Sequence, residues 1–260
     1  MPDGPFFAAL AAAAADPLVW FVVGIALVSG VVRGFSGFGG ALIFIPLASA
    51  MLGPKIAVPM FYLFDLGSAT PYGALSLRRC RWREVLPMTL GYWTLLPVGA
   101  WLLSNIDPLA VRWGTDAGVL LMLVILISGW RYHGAPTPPL SFGVGATAGL
   151  MGGSTGVSGP PVIAYWLGTQ SQAASLRANI MAYYALSSSS TDVVYFIQGL
   201  FTWHIAAYAV LGWPAYAGGL WAGARLFRGS TDRSFRIAAY ALIAFAVVAS
   251  LPLWDALKGR

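Results

Sequence analysis

Apolar residues run along this chain in long blocks, parted by short polar or glycine-rich breaks, and not in the one-face stripes of soluble helices. With soft edges, the first-half blocks run from Leu18 to Val32, Ala41 to Leu52, Ile56 to Leu77, Val85 to Leu103 and Leu109 to Trp130. The second-half blocks run from Leu140 to Met151, Val162 to Gly168, Ala178 to Leu200, Ile205 to Leu226 and Phe235 to Leu253. A block of about 18 apolar residues is long enough to cross the hydrocarbon core as a helix. The pattern predicts an all-α integral membrane protein with eight to ten membrane segments.

The blocks repeat in order. A first block, a glycine-rich stretch, a short block and three long blocks occur before the Pro-rich linker Gly134 to Pro139, and again after it. The glycine-rich stretches are Gly34 to Gly40 (GFSGFGG) and Gly152 to Pro161 (GGSTGVSGPP). The wording from Trp82 (WREVLPMTLGYW) also resembles that from Trp203 (WHIAAYAVLGWP). This plan divides the chain into an interfacial segment (1–16), a first transmembrane repeat (17–133), a cytoplasmic linker (134–139), a second repeat (140–254) and a tail (255–260). About 12 residues of helix rise only about 18 Å, so each short pair reads as a re-entrant hairpin or as two short tilted spans.

Composition strengthens the membrane reading. Of 260 residues, 58% are hydrophobic and 9% charged, against roughly 25% charged in a soluble domain. A soluble fold so poor in charge could not cover its own surface. The formal charge of +6 does not point to nucleic acid, because the arginines gather in short loops between blocks. Arg78, Arg79, Arg81 and Arg83 form one such loop, Arg225, Arg228, Arg233 and Arg236 another, and Arg131 adds to the linker. By the positive-inside rule these loops are cytoplasmic, in a bacterial inner membrane. The two halves are then inverted relative to each other, as in many secondary transporters. Lys258 and Arg260 run against this orientation. The N-terminus lacks the basic region of a cleaved signal peptide. Cys80 stands alone, so neither a disulfide nor a cysteine metal cluster is expected.

The candidate chemistry sits in the glycine stretches. Non-helical backbone at membrane depth is costly unless it lines a polar cavity or is buried in protein. Glycine lets backbone approach a ligand, and a helix starting after the break would turn N–H groups and its positive end toward an anion. The expected substrate-binding groups are therefore Arg33, Ser36, Gly37, Gly39 and Gly40 at the first break, and Thr155, Gly156, Ser158 and Gly159 at the second, with Ser154 a further hydroxyl there. Arg177 and Asn179 follow the second break. Arginine binds oxyanions through two parallel hydrogen bonds. The plainer readings are close helix packing through small residues and arginines snorkelling to headgroups. Asp65 and Asp192 fall inside apolar blocks, where carboxylates carry protons, bind sodium or pair with arginine. His133 and His204 are expected at the surfaces, without a role.

With these loops in view, the chain resembles the sulfite exporter TauE/SafE family, also called the TSUP transporters. The resemblance rests on Gly34-Phe35-Ser36-Gly37-Phe38-Gly39-Gly40, on its counterpart Gly156-Val157-Ser158-Gly159-Pro160-Pro161, on chain length, and on the duplicated halves. It implies a multi-pass inner-membrane carrier of small anions such as sulfite or sulfoacetate. The residues alone point only to a small anion, with a coupling proton or sodium ion, surrounding lipid, no cofactor and no nucleic acid. They leave the exact anion, the direction of flux and the oligomeric state open. Two rivals differ in class. Gly34-Phe35-Ser36-Gly37 matches the motif of rhomboid-type intramembrane serine proteases, but such an enzyme needs a base beside the serine. A channel or membrane scaffold is the other. No Walker motif for ATP is present.

Overall fold

The apolar blocks fold as helices, and their edges follow proline and glycine signals. The computed structural model describes residues 4–36, 39–129, 132, 134, 137–166, 173–226 and 232–253. Eleven helices lie among them: α1 (Pro5–Ala15), α2 (Leu18–Ser36), α3 (Gly40–Leu52), α4 (Pro54–Leu77), α5 (Trp82–Asn105), α6 (Pro108–Ser128), α7 (Pro138–Thr155), α8 (Gly159–Trp166), α9 (Ala173–Ile197), α10 (Trp203–Leu226) and α11 (Asp232–Ser250). Pro5, Pro108 and Pro138 stand in first turns, where a missing N–H costs nothing. Gly129 and Gly156 close α6 and α7 at positive φ (64° and 73°). That conformation favours glycine.

By length and composition α5 and α6 each suffice to cross a membrane, and α1 with α2, bent by 87°, passes the same test as a broken pair. The surface is apolar. Trp20, Ile127, Phe196 and Phe245 are each more than 60% exposed. Large side chains shown to the outside in this way suit lipid, not water.

Two compact units divide the chain: Met1–Phe64 with Gly199–Arg260, and Asp65–Gln198. They cut across the sequence halves, because each unit takes helices from both. In the first unit α2 packs along α10, with α3, α11 and α1 beside them. A Cβ on Gly30 or Gly34 would strike the carbonyls of Tyr216 and Leu220, and one on Gly219 or Gly223 those of Leu27 and Val31. The spacing of four puts each pair on one helix face, so the backbones meet directly. Phe44, Phe64 and Tyr216 fill the core alongside, with ring centroids 5.0 Å and 5.4 Å apart in sequence.

In the second unit α5 packs along α7 in the same manner. Gly91 meets the Phe142 carbonyl, while Gly145 and Gly149 meet those of Met88 and Tyr92. Tyr92, Trp166 and Tyr183 are fully buried here, with Tyr183 edge-on to both. α6 lies against α7 and α8.

Candidate functional site

The first break is shorter than the sequence suggests. α2 runs on through Arg33 and Gly34 to Ser36, so Arg33 stands in a last helical turn and does not end the helix. α3 restarts at Gly40 after Gly39, and both glycines are buried. The bare Cα of Gly40 makes room for its neighbours: a Cβ there would lie 3.0 Å from Arg33 Cβ and 3.2 Å from Ser29 Oγ. Ser29 Oγ donates to the Gly40 carbonyl at 2.7 Å, tying the α3 start to α2. The Arg33 guanidinium carbon lies 6.0 Å from the centre of the Phe61 ring. No side chain caps α3 at Gly39. The stem of Arg33 packs on the first residue of α3, and a helix N-terminus is itself a positively polarised place. Gly37 and the side chains of Ser36 and Arg177 lie outside the described residues.

The second break is three residues long, Gly156 to Ser158, between α7 and α8. Gly152 to Thr155 are helical, and Gly153 packs against the carbonyl of Leu96. Gly34 and Gly153, one in each stretch, therefore pack against the backbone of a partner helix. Thr155 Oγ1 donates to the Met151 carbonyl at 2.8 Å and Ser154 Oγ to that of Leu150 at 2.7 Å, so both hydroxyl protons stay with their own helix. Gly156 forms the α7 cap, its N–H bonding Gly152 O at 3.1 Å. α8 opens Gly159-Pro160-Pro161. Proline has no N–H, so this N-terminus offers fewer donors than that of α3. Ser158 is buried beside Gly152.

Asn179 is fully buried with both amide ends engaged. Its Oδ1 accepts from Arg81 N at 2.8 Å and its Nδ2 donates to Glu84 Oε2 at 2.7 Å. Glu84 also pairs with Arg81 at 3.3 Å. These bonds fasten the basic α4–α5 connection to α9. Asp65 is 2% exposed and accepts from Ser188 Oγ at 3.0 Å. Asp192 is 8% exposed, and neither of its oxygens has a hydrogen-bond partner. Around them Thr191 Oγ1 shares a 2.8 Å bond with Tyr92 OH, and Tyr195 OH donates to Gly153 O at 2.8 Å.

Sequence reasoning singled out Asp65 and Asp192 but passed over Ser188, Thr191, Tyr92 and Tyr195. A signal existed in the run Ser187-Ser188-Ser189-Ser190-Thr191-Asp192 inside an apolar block. Arg112 and Asp116 were also passed over. They lie four apart on α6, whose Gly114 packs on Thr155 at the end of α7 and whose Gly118 packs on Val157 in the second break.

His204 gives a protease no support. His204 is exposed, its ring 4.7 Å from that of Tyr208 at the start of α10, and His133 lies outside the described residues. Tyr208 donates to Asp16 in the α1–α2 connection. That bond, helped by the Leu18 N–H, holds the Asp16 carboxyl below the usual carboxylate range.

Neither a search of curated proteins nor one of solved structures finds a match. The family model for the sulfite exporter TauE/SafE does match, over residues 22–250, which takes in both glycine breaks, the buried carboxylates Asp65 and Asp192 and both glycine-seamed helix pairs. The chain belongs to the sulfite exporter TauE/SafE family of membrane transporters.

Proposed function

We propose that the chain is a secondary transporter that moves a small anion, sulfite or a small organosulfonate, across the inner membrane by alternating access. The observation that carries the reading is the first break: the stem of Arg33 packed on Gly40 at the start of α3, whose N-cap residue is the glycine Gly39. An oxyanion there meets backbone N–H groups, a positive dipole end and a guanidinium together. Ser36, Gly37 and Gly39 belong to the same proposed site. At the second break Gly156, Ser158 and Gly159 supply backbone and a hydroxyl, Thr155 shapes the turn, and Arg177 supplies charge. Asn179 orders the α9 start through Glu84 and Arg81.

Inverted halves fit a further regularity. The broken-pair helix α2 packs on α10 in one unit, and the broken-pair helix α7 packs on α5 in the other. α5 and α10 are the helices with matching wording at Trp82 and Trp203. Alternating access by two inverted repeats, with the basic loops cytoplasmic, is the proposed working cycle.

Thermal-shift measurements in detergent test the site, using sulfite, sulfate, sulfoacetate, isethionate and carboxylates of matched size. A ligand at about 100 times its Kd stabilises by about 2.7 kcal/mol. Sulfite or a sulfonate raises Tm more than the matched carboxylates. Arg33→Ala weakens binding by roughly 10- to 100-fold, the loss of a charged hydrogen bond of about 1.5–3 kcal/mol. If Arg33→Ala and Arg177→Ala both keep the wild-type shift, the site is elsewhere.

A further inference from the structure

The turn from α4 into α5 carries Arg78, Arg79, Arg81 and Arg83, all of them exposed, with exposed Trp82 among them. From Arg78 to Glu84 the net charge is +3, four arginines less one glutamate. A run of arginines can serve orientation in the bilayer alone. Orientation needs only the charge and not a fixed shape, yet here the shape is fixed. Arg79 N and Cys80 N both donate to Ser76 O, at 3.0 Å and 2.9 Å. Leu77 and Cys80 pack against the core of Tyr92, Trp166 and Tyr183. Arg81 N donates to Asn179 Oδ1 at 2.8 Å, and Asn179 Nδ2 donates to Glu84 at 2.7 Å. A fully buried asparagine on α9 thus holds both ends of the Arg81–Glu84 segment, and the arginines ride on a rigid frame.

An apolar stripe continues from this turn down the outer face of α5. Trp82, Leu86, Leu90, Trp93 and Trp101 are each more than 40% exposed. Steps of three, four and eight residues keep them on one side of the helix. Val85, Met88, Tyr92 and Leu96 are buried on the other. From Trp82 to Trp101 the helix rises about 28 Å, close to the roughly 30 Å of the hydrocarbon core. The two tryptophans therefore suit the two interfaces, which puts the arginines at headgroup level. A rigid basic turn joined to an outward apolar stripe complements an amphiphile with an anionic head. Free phosphate matches the arginines and leaves the stripe unused. A second copy in two-fold contact brings the same arginines against these, and like charges repel.

We propose that the α4–α5 turn and the outer stripe of α5 form a binding site for an anionic phospholipid. Arg78, Arg79 and Arg83 hold its phosphate, and its acyl chains lie along Leu86, Leu90 and Trp93. Arg81 is the internal strut of the turn, paired with Glu84 at 3.3 Å. The site lies wholly within the unit Asp65–Gln198 and does not depend on which anion the protein carries.

Native mass spectrometry of the full chain in detergent tests this with dioleoyl phosphatidylglycerol and dioleoyl phosphatidylcholine. The two lipids share their acyl chains and differ in headgroup charge. An arginine near the membrane surface changes the affinity for an anionic lipid about fivefold, so three give a preference on the order of 100-fold. Wild type binds phosphatidylglycerol more tightly by about that factor. The triple variant Arg78→Gln, Arg79→Gln, Arg83→Gln binds both lipids equally. Each single variant loses about fivefold, so the answer does not hang on the triple variant folding. Arg225→Gln, in the other unit, keeps the wild-type preference. Sodium phosphate in large excess leaves phosphatidylglycerol bound. The site is overturned if wild type binds both lipids equally, if the triple variant keeps the preference, or if Arg225→Gln loses as much as the triple variant does. Displacement of the lipid by phosphate also overturns it, because the stripe then contributes nothing.

Discussion

Arg33 carries its charge on a stem that leans against the bare Cα of Gly40. A side chain at Gly40 would displace the arginine, so the glycine and the charge work together. Asn179 shows the opposite outcome for a polar residue: both ends of its amide are engaged with protein, and it acts as a tie. The tie it makes holds the loop that carries Cys80, the sole cysteine of the chain. Burial raises the Cys80 thiol above its ordinary value, and only the thiolate reacts with maleimide. Labelling of Cys80 is therefore slow at neutral pH and speeds up as pH rises toward the raised value. A membrane-impermeant maleimide labels Cys80 in inside-out vesicles and not in intact cells. Labelling from the outer face contradicts the orientation.

At the scale of the helices, much was legible. Long apolar blocks gave the helices, of which two, or three with the bent pair α1 and α2, suffice by length and composition to cross a membrane, and proline and glycine gave their ends. The breaks at residues 37–39 and 156–158 were legible as places, but their extent was not. A helical glycine and a loop glycine read alike in sequence, and only the partner helix shows which one Gly34 or Gly153 is. The hydroxyls from Ser187 to Thr191 were missed for a similar reason, since hydroxyls that bond back within a helix leave no period to detect.

Neighbouring glycines on α10 test the packing. A Cβ on Gly219 meets the Leu27 carbonyl, while Gly218 has nothing within 4 Å. Gly219→Ala costs about 1–3 kcal/mol by overpacking. Gly218→Ala is neutral or gains up to about 1 kcal/mol in helix propensity. Their Tm values in detergent separate in that order, and equal values would remove the seam from the account.

At the scale of the molecule, the chain is inverted from a soluble protein. Large apolar side chains face outward, and buried polar groups such as Asp65, Ser188 and Asp192 lie inside. Each compact unit is built on one glycine-seamed helix pair that joins a helix of one sequence half to a helix of the other. The central claim is that a small oxyanion is bound by the charge and helix end at the first break and is carried across. Counterflow of labelled sulfite in proteoliposomes measures this directly. The account predicts saturable exchange that Arg33→Ala abolishes. Flux that rises without saturating, or that Arg33→Ala leaves unchanged, contradicts it.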